Sequence, residues 1–92
     1  MSPRPYDVQV TRPALRALQR LEPKFADAVL RFLDGPLTEN PLRVTTPLGA
    51  ELERQRSGYV GIAYRVVVRV DEDAHVVYVL RVAHRADVHR PL

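Results

Sequence analysis

The chain has 92 residues, 46% of them hydrophobic, and no cysteine. A chain of this length forms one domain, here 1–92, with a single modest core, because it buries only about 60–65% of the surface its unfolded form exposes. Without cysteine there is neither a disulfide framework nor a thiolate metal site, so the fold rests on packing alone or on packing with a partner.

The net charge is +3, and Lys24 is the only lysine beside thirteen arginines. Arginine holds phosphate in a two-pronged fork and stays charged when partly buried. A GC-rich genome gives the same bias without any functional cause. Met1-Ser2-Pro3-Arg4-Pro5 is not a secretory leader. No apolar run approaches the roughly 20 residues of a membrane span. The expectation is a cytoplasmic protein that does not enter a membrane.

Tyr6, Val8 and Val10 alternate with Asp7 and Gln9, which predicts a short first strand. Thr11 is placed to cap a helix that Pro13 opens and that Ala14, Leu15, Leu18 and Leu21 make amphipathic. Arg12, Arg16 and Arg20 form a basic stripe on it, a pattern that is most often a solvated face. Pro23 separates this helix from a second, in which Phe25, Ala28, Val29, Phe32 and Leu33 fall on one face. Asp34-Gly35-Pro36 ends it.

Residues 36–47 read as a proline-punctuated connection and 48–56 as a weak strand. From Tyr59 to Val70 the pattern is strongly β, with Val60, Ile62, Tyr64, Val66, Val68 and Val70 on one side. Asp71 to Ala74 reads as a turn and His75 to Ala83 as the returning strand. The expected fold is α+β, in the order β-α-α-β-β-β, with a mainly antiparallel sheet packed against a helical hairpin.

The arginines follow the strand alternation. If the last hairpin has an odd loop, such as Glu72-Asp73-Ala74, then Arg65, Arg69, Arg81 and Arg85 share the side away from the valine core. A two-residue loop puts Arg65 on the side of Leu80 instead. Four arginines on one side repel one another unless an anion sits among them, or unless each reaches water or pairs with Glu51 or Glu53. There is no glycine-rich phosphate loop, no nucleophile elbow and no metal-ligand spacing, since His84 and His89 are five residues apart. Neither a metal nor a cofactor is expected.

The element order, the run Pro41-Leu42-Arg43-Val44 with Pro47-Leu48 and Glu51-Leu52, the pair Tyr64-Arg65, and the closing run from Leu80 to Val88 with its His84-Arg85 pair resemble the RelE/ParE toxin superfamily. The resemblance is nearer to RelE-like toxins and covers Tyr6 to Arg90. It implies a toxin of a type II toxin–antitoxin pair, silenced by a RelB-like antitoxin. RelE-type members act in the ribosomal A site as mRNA endoribonucleases. They activate a ribose 2′-hydroxyl to attack the adjacent phosphate. ParE-type members share the fold and poison DNA gyrase.

The resemblance also implies roles for particular residues. Arg65, the arginine of the Tyr-Arg pair, would stabilise charge on the scissile phosphate, and Arg85 would act on the phosphate or the leaving 5′-oxygen. Arg81, Arg43, Arg69 and His84 would bind RNA or phosphate. His89 stands where the superfamily has a tyrosine. An imidazole, ordinarily titrating near 6.5 against about 10 for tyrosine, exchanges a proton more readily at neutral pH. The chain departs from the pattern elsewhere: Thr46 replaces an expected lysine, Val60 an expected arginine and Val68 an expected mid-strand tyrosine. These losses leave a gyrase poison, or a weakened toxin that acts mainly by binding its antitoxin, as alternatives to the nuclease.

Overall fold

The computed structural model describes residues 4–49 and 54–87. It has strand β1 (Asp7–Val10), helices α1 (Arg12–Arg20) and α2 (Pro23–Asp34), helical turns α3 (Pro36–Glu39) and α4 (Pro41–Val44), then strands β2 (Thr46–Pro47), β3 (Arg56–Val60), β4 (Tyr64–Asp71) and β5 (Val76–His84). A 3-10 turn, Arg85–Asp87, follows. The sheet runs β1-β5-β4-β3-β2, antiparallel except where β1 lies parallel to β5.

One face of the sheet carries the core. Val60, Val66, Val68, Val77, Val79 and Val82 from the strands meet Ala14 and Leu18 of α1, Val29 and Leu33 of α2, and Leu37 of α3. Each fully buried valine or leucine contributes about 1.5–3 kcal/mol relative to exposure. Both long helices carry a proline in the first turn, Pro13 second in α1 and Pro23 first in α2, where its missing N–H costs nothing. The Thr11 hydroxyl does not cap α1. It donates to the Val79 carbonyl at 2.8 Å and ties the start of the helix to β5. Leu15, expected on the buried side, is exposed: α1 turns Ala14, Leu18 and, in part, Ala17 toward the sheet. Ala28 is likewise exposed on α2.

The expected single strand from Tyr59 to Val70 is two strands. Val60 pairs with Tyr64 across a three-residue turn, Gly61-Ile62-Ala63, in which Gly61 takes φ 62° and Ile62 is 81% exposed. A left-handed residue suits glycine. Because three residues preserve odd–even alternation, the reversal leaves no trace in the apolar pattern. Of the weak strand expected at 48–56, residues 50–53 lie outside the described residues; among those described, pairing occupies Thr46–Pro47 on one side and begins at Arg56 on the other. The proline-punctuated 36–47 segment is two helical turns and a short strand. Arg56 anchors it, donating through Nε to Thr45 Oγ1 at 2.9 Å and through Nη2 to the Thr45 and Leu42 carbonyls at 2.8 and 3.2 Å.

The expected odd loop between the last two strands is also corrected. Asp71 pairs with Val76, so four residues, Glu72 to His75, form the connection. Asp71 Oδ1 accepts from the Ala74 N–H at 3.0 Å, and His75 takes φ 62° and stacks on Tyr6 at 3.7 Å. An even loop alone would set Arg81 against the core. A bulge prevents this: Val68 pairs with Val79 but Val67 pairs with Arg81, leaving Leu80 as the extra residue. The sequence demands it, since Val77, Val79 and Val82 all belong in the core. An unbulged strand would bury Arg81 unpaired and expose Val82. That costs several kcal/mol, against about 1 kcal/mol for an irregular ladder bond.

Two expectations follow. A Cβ at Gly58 would lie 2.8 Å from both Phe32 Cζ and the Val44 carbonyl oxygen, so Gly58→Ala should cost about 1–3 kcal/mol in urea unfolding. An unchanged midpoint would contradict the close packing of α2 and α4 on β3. Deleting Leu80 removes the extra residue and still leaves Arg81 opposite Val67. It should therefore destabilise the protein less than Val82→Asp, which puts a carboxylate in the core, and the reverse order would contradict the bulge assignment.

Candidate phosphate-binding face

The sheet face turned away from the helices is built by cross-strand partners. Tyr59 on β3 lies opposite Arg65 on β4, and Arg65 lies opposite Ala83 on β5. Val67 sits between Ser57 and Arg81, and Arg69 opposite Tyr78. Alternation places Arg65, Val67 and Arg69 together, and the bulge adds Arg81. Val67 is 1% exposed although it lies outside the main core, ringed by Arg65 and Arg69 along its strand and by Ser57 and Arg81 across it. The arginine stems can shield it while their heads reach outward.

Arg65 is the most tightly held cation of this face. Its guanidinium lies 4.1 Å from the Tyr59 ring centroid; Nη2 donates to the Tyr59 hydroxyl, and Nη1 to Ser57 Oγ at 3.4 Å. Its Nε is buried without a hydrogen-bond partner among the described residues. Such an orphaned donor is uncommon, and the atom has almost no exposed surface of its own. Arg69 is exposed, its guanidinium 5.9 Å from the Tyr78 ring. Neither Arg65 nor Arg69 pairs with a carboxylate among the described residues, where the ion pair is Arg31 with Asp27 at 3.0 Å. Arg81 is half-buried, beside a cleft that Arg16 and Arg20 of α1 also line.

The remaining candidates fall elsewhere. Arg85 is past the end of β5, and its N–H donates to the Ala63 carbonyl at 2.8 Å. This fixes its backbone at the same end of the sheet as Arg65, with its side chain exposed. His84 alternates to the helical side of β5. It meets the Tyr64 ring edge-on at 5.9 Å, and its Nδ1 accepts from the Ala86 N–H at 3.2 Å. Arg43 is exposed on α4, which packs against β3 from the helical side. Val60, at an expected arginine position, is buried in the core, and Thr46 is exposed on β2. His89, Glu51 and Glu53 lie outside the described residues. Among the described residues no cluster has the makings of a metal site.

Tyr59, Ser57 and Tyr78 are members of this face that strand alternation did not bring forward. The signal for Tyr59 was Gly61: a three-residue turn centred on Ile62 sets residue 59 opposite residue 65. Chemically the face offers two or three fixed positive charges, hydroxyls of both tyrosines and the serine, and two aromatic rings. Guanidiniums and hydroxyls are donors suited to a phosphate group, and aromatic rings to stacking.

The family model for the ParE toxin of the type II toxin–antitoxin system parDE matches residues 8–89. The chain is 43% identical to toxin RelG of Mycobacterium tuberculosis over 86 residues, covering 94% of this chain and 98% of that protein. It is 42% identical to toxin RelE of the same organism, again over 94% of this chain and covering 88% of that toxin. The structure superposes on a chain of the M. tuberculosis toxin–antitoxin complex RelBE2 with a TM-score of 0.83 and 42% identity, over 88% of this chain and 99% of that one. With a family match across nearly its whole length and full-length relatives above 40% identity, the chain belongs to the RelE/ParE superfamily of type II toxin–antitoxin toxins.

Proposed function

We propose that this toxin is a ribosome-dependent mRNA endoribonuclease that uses the arginine face as its phosphate site. The observation that carries the reading is the convergence of Arg65, Arg69 and Arg81 on one sheet face. In the reaction the ribose 2′-hydroxyl loses its proton and attacks the adjacent phosphorus. The bond to the 5′-oxygen breaks, and that oxygen takes up a proton. The products are a 2′,3′-cyclic phosphate and a new 5′-hydroxyl. Negative charge gathers on the phosphoryl oxygens in the transition state, where fixed guanidiniums stabilise it most. Arg65 and Arg81 serve that charge. Arg85 serves the leaving-oxygen end, and His89 is the candidate proton carrier.

A RelB-like antitoxin is the proposed partner, in keeping with the RelBE2 complex to which the fold is similar. No described helix is long and apolar enough to cross a membrane. A cytoplasmic site of action follows from the proposed ribosomal target. The family model is described by ParE, whose resemblance points to gyrase, so that reading is kept as an outcome of the test.

The test is primer extension on mRNA from translating cells after induction, beside a supercoiling assay. Wild type should leave cuts at A-site codons, and Arg65→Ala should reduce them by about 10²–10³-fold, the loss typical of one transition-state charge stabiliser. Growth arrest with intact mRNA and blocked supercoiling would overturn the nuclease in favour of gyrase. Tight antitoxin binding with no arrest would leave a toxin without catalysis.

A further inference from the structure

Tyr59 is an anomaly on this face. It is 58% exposed, yet its ring is clasped by the Arg65 guanidinium at 4.1 Å and its hydroxyl accepts from the same side chain. An aromatic ring held this firmly has little side-chain freedom left to lose on binding. Its surroundings leave room. β2 pairs only with Arg56 and Ser57, so it does not flank Tyr59. The turn beyond presents Gly61, where a Cβ would meet nothing within 4 Å, and the exposed Ile62. A rigid, half-exposed ring beside an arginine that pairs with no carboxylate among the described residues matches the unit with which proteins hold single-stranded nucleic acid: a base on the ring and its phosphate on the cation.

We propose that Tyr59 is a stacking platform for an unpaired RNA base whose neighbouring phosphate is held by Arg65. The inference rests on the reading of this face as an RNA site and adds the residue that grips the base. Base-on-ring stacking accepts any base, so Tyr59 contributes affinity and alignment rather than sequence choice. A duplex keeps its bases stacked on one another and would not use it.

The chain has no tryptophan, so Tyr59→Trp gives an emission that reports on position 59 alone. The probe is a short 2′-O-methyl RNA oligonucleotide, which cannot be cut. Titration should quench Tyr59→Trp emission for single-stranded RNA and not for the same RNA in a duplex. By fluorescence anisotropy of labelled RNA, Tyr59→Leu should weaken binding about 10-fold or more, while Tyr59→Phe stays within about 3-fold of wild type. Loss in both Leu and Phe variants would assign Tyr59 to holding Arg65 through its hydroxyl and overturn stacking. So would an unquenched Tyr59→Trp that binds RNA. Quenching without mRNA cleavage in cells would refute the nuclease and leave the platform standing; cleavage without quenching would do the opposite.

Discussion

The extra residue at Leu80 is the constraint on which the rest of the arginine face depends. Val77 and Val79 point into the core from one parity of β5, and Val82 from the other. A regular strand cannot satisfy all three. Bulging Leu80 sacrifices some ladder regularity, keeps these three valines against the helices, and turns Arg81 outward opposite Val67. The comparison of magnitudes is one-sided: an unpaired guanidinium in the core costs several times what a local irregularity does. Hydrophobic packing on one face therefore dictates the charge pattern on the other.

Given that pattern, Arg65 and Arg69 must be kept close with no carboxylate partner among the described residues. Aromatic rings take that part. Tyr59 and Tyr78 each receive a cross-strand arginine over the ring. Each such contact is worth about 0.5–1 kcal/mol at an exposed site and more when desolvated. The ring's negative face offsets repulsion. A cation on a strand backed by a close-packed core also moves less than one on a loop, which suits electrostatic stabilisation of a transition state. Arg56 illustrates the contrast. It faces the helical side, spends its donors on Thr45 and Leu42, and is a structural brace rather than part of the site.

Much of the scaffold was legible in the sequence because it follows simple periods. The i, i+3, i+4 pattern of α2, the prolines in the first turns of both helices, and the valine alternation of β4 all reappear in the structure. What parity cannot register is any event that changes the count by an even amount or that is cancelled. The Gly61 turn joins two strands without disturbing alternation, so Tyr59 was assigned to the wrong strand and its meeting with Arg65 was hidden. The four-residue connection and the Leu80 bulge each shift the count by one and cancel. Sequence and structure thus agree that Arg65, Arg69 and Arg81 share a face, but for different reasons. His84 could not be placed from its pairing with Arg85 in sequence: alternation sends it to the helical side, against Tyr64.

The central claim is that the bulge brings Arg65 and Arg81 onto one phosphate, so that they act as a unit. A double-mutant cycle on mRNA cleavage in a purified translation system tests this most directly, with Arg65→Ala, Arg81→Ala and the pair, each checked for folding by circular dichroism. Groups that serve one transition state are strongly non-additive. The account predicts that the double variant is little worse than the more damaged single variant. Losses that multiply independently, or an Arg81→Ala variant with wild-type cleavage, would contradict it.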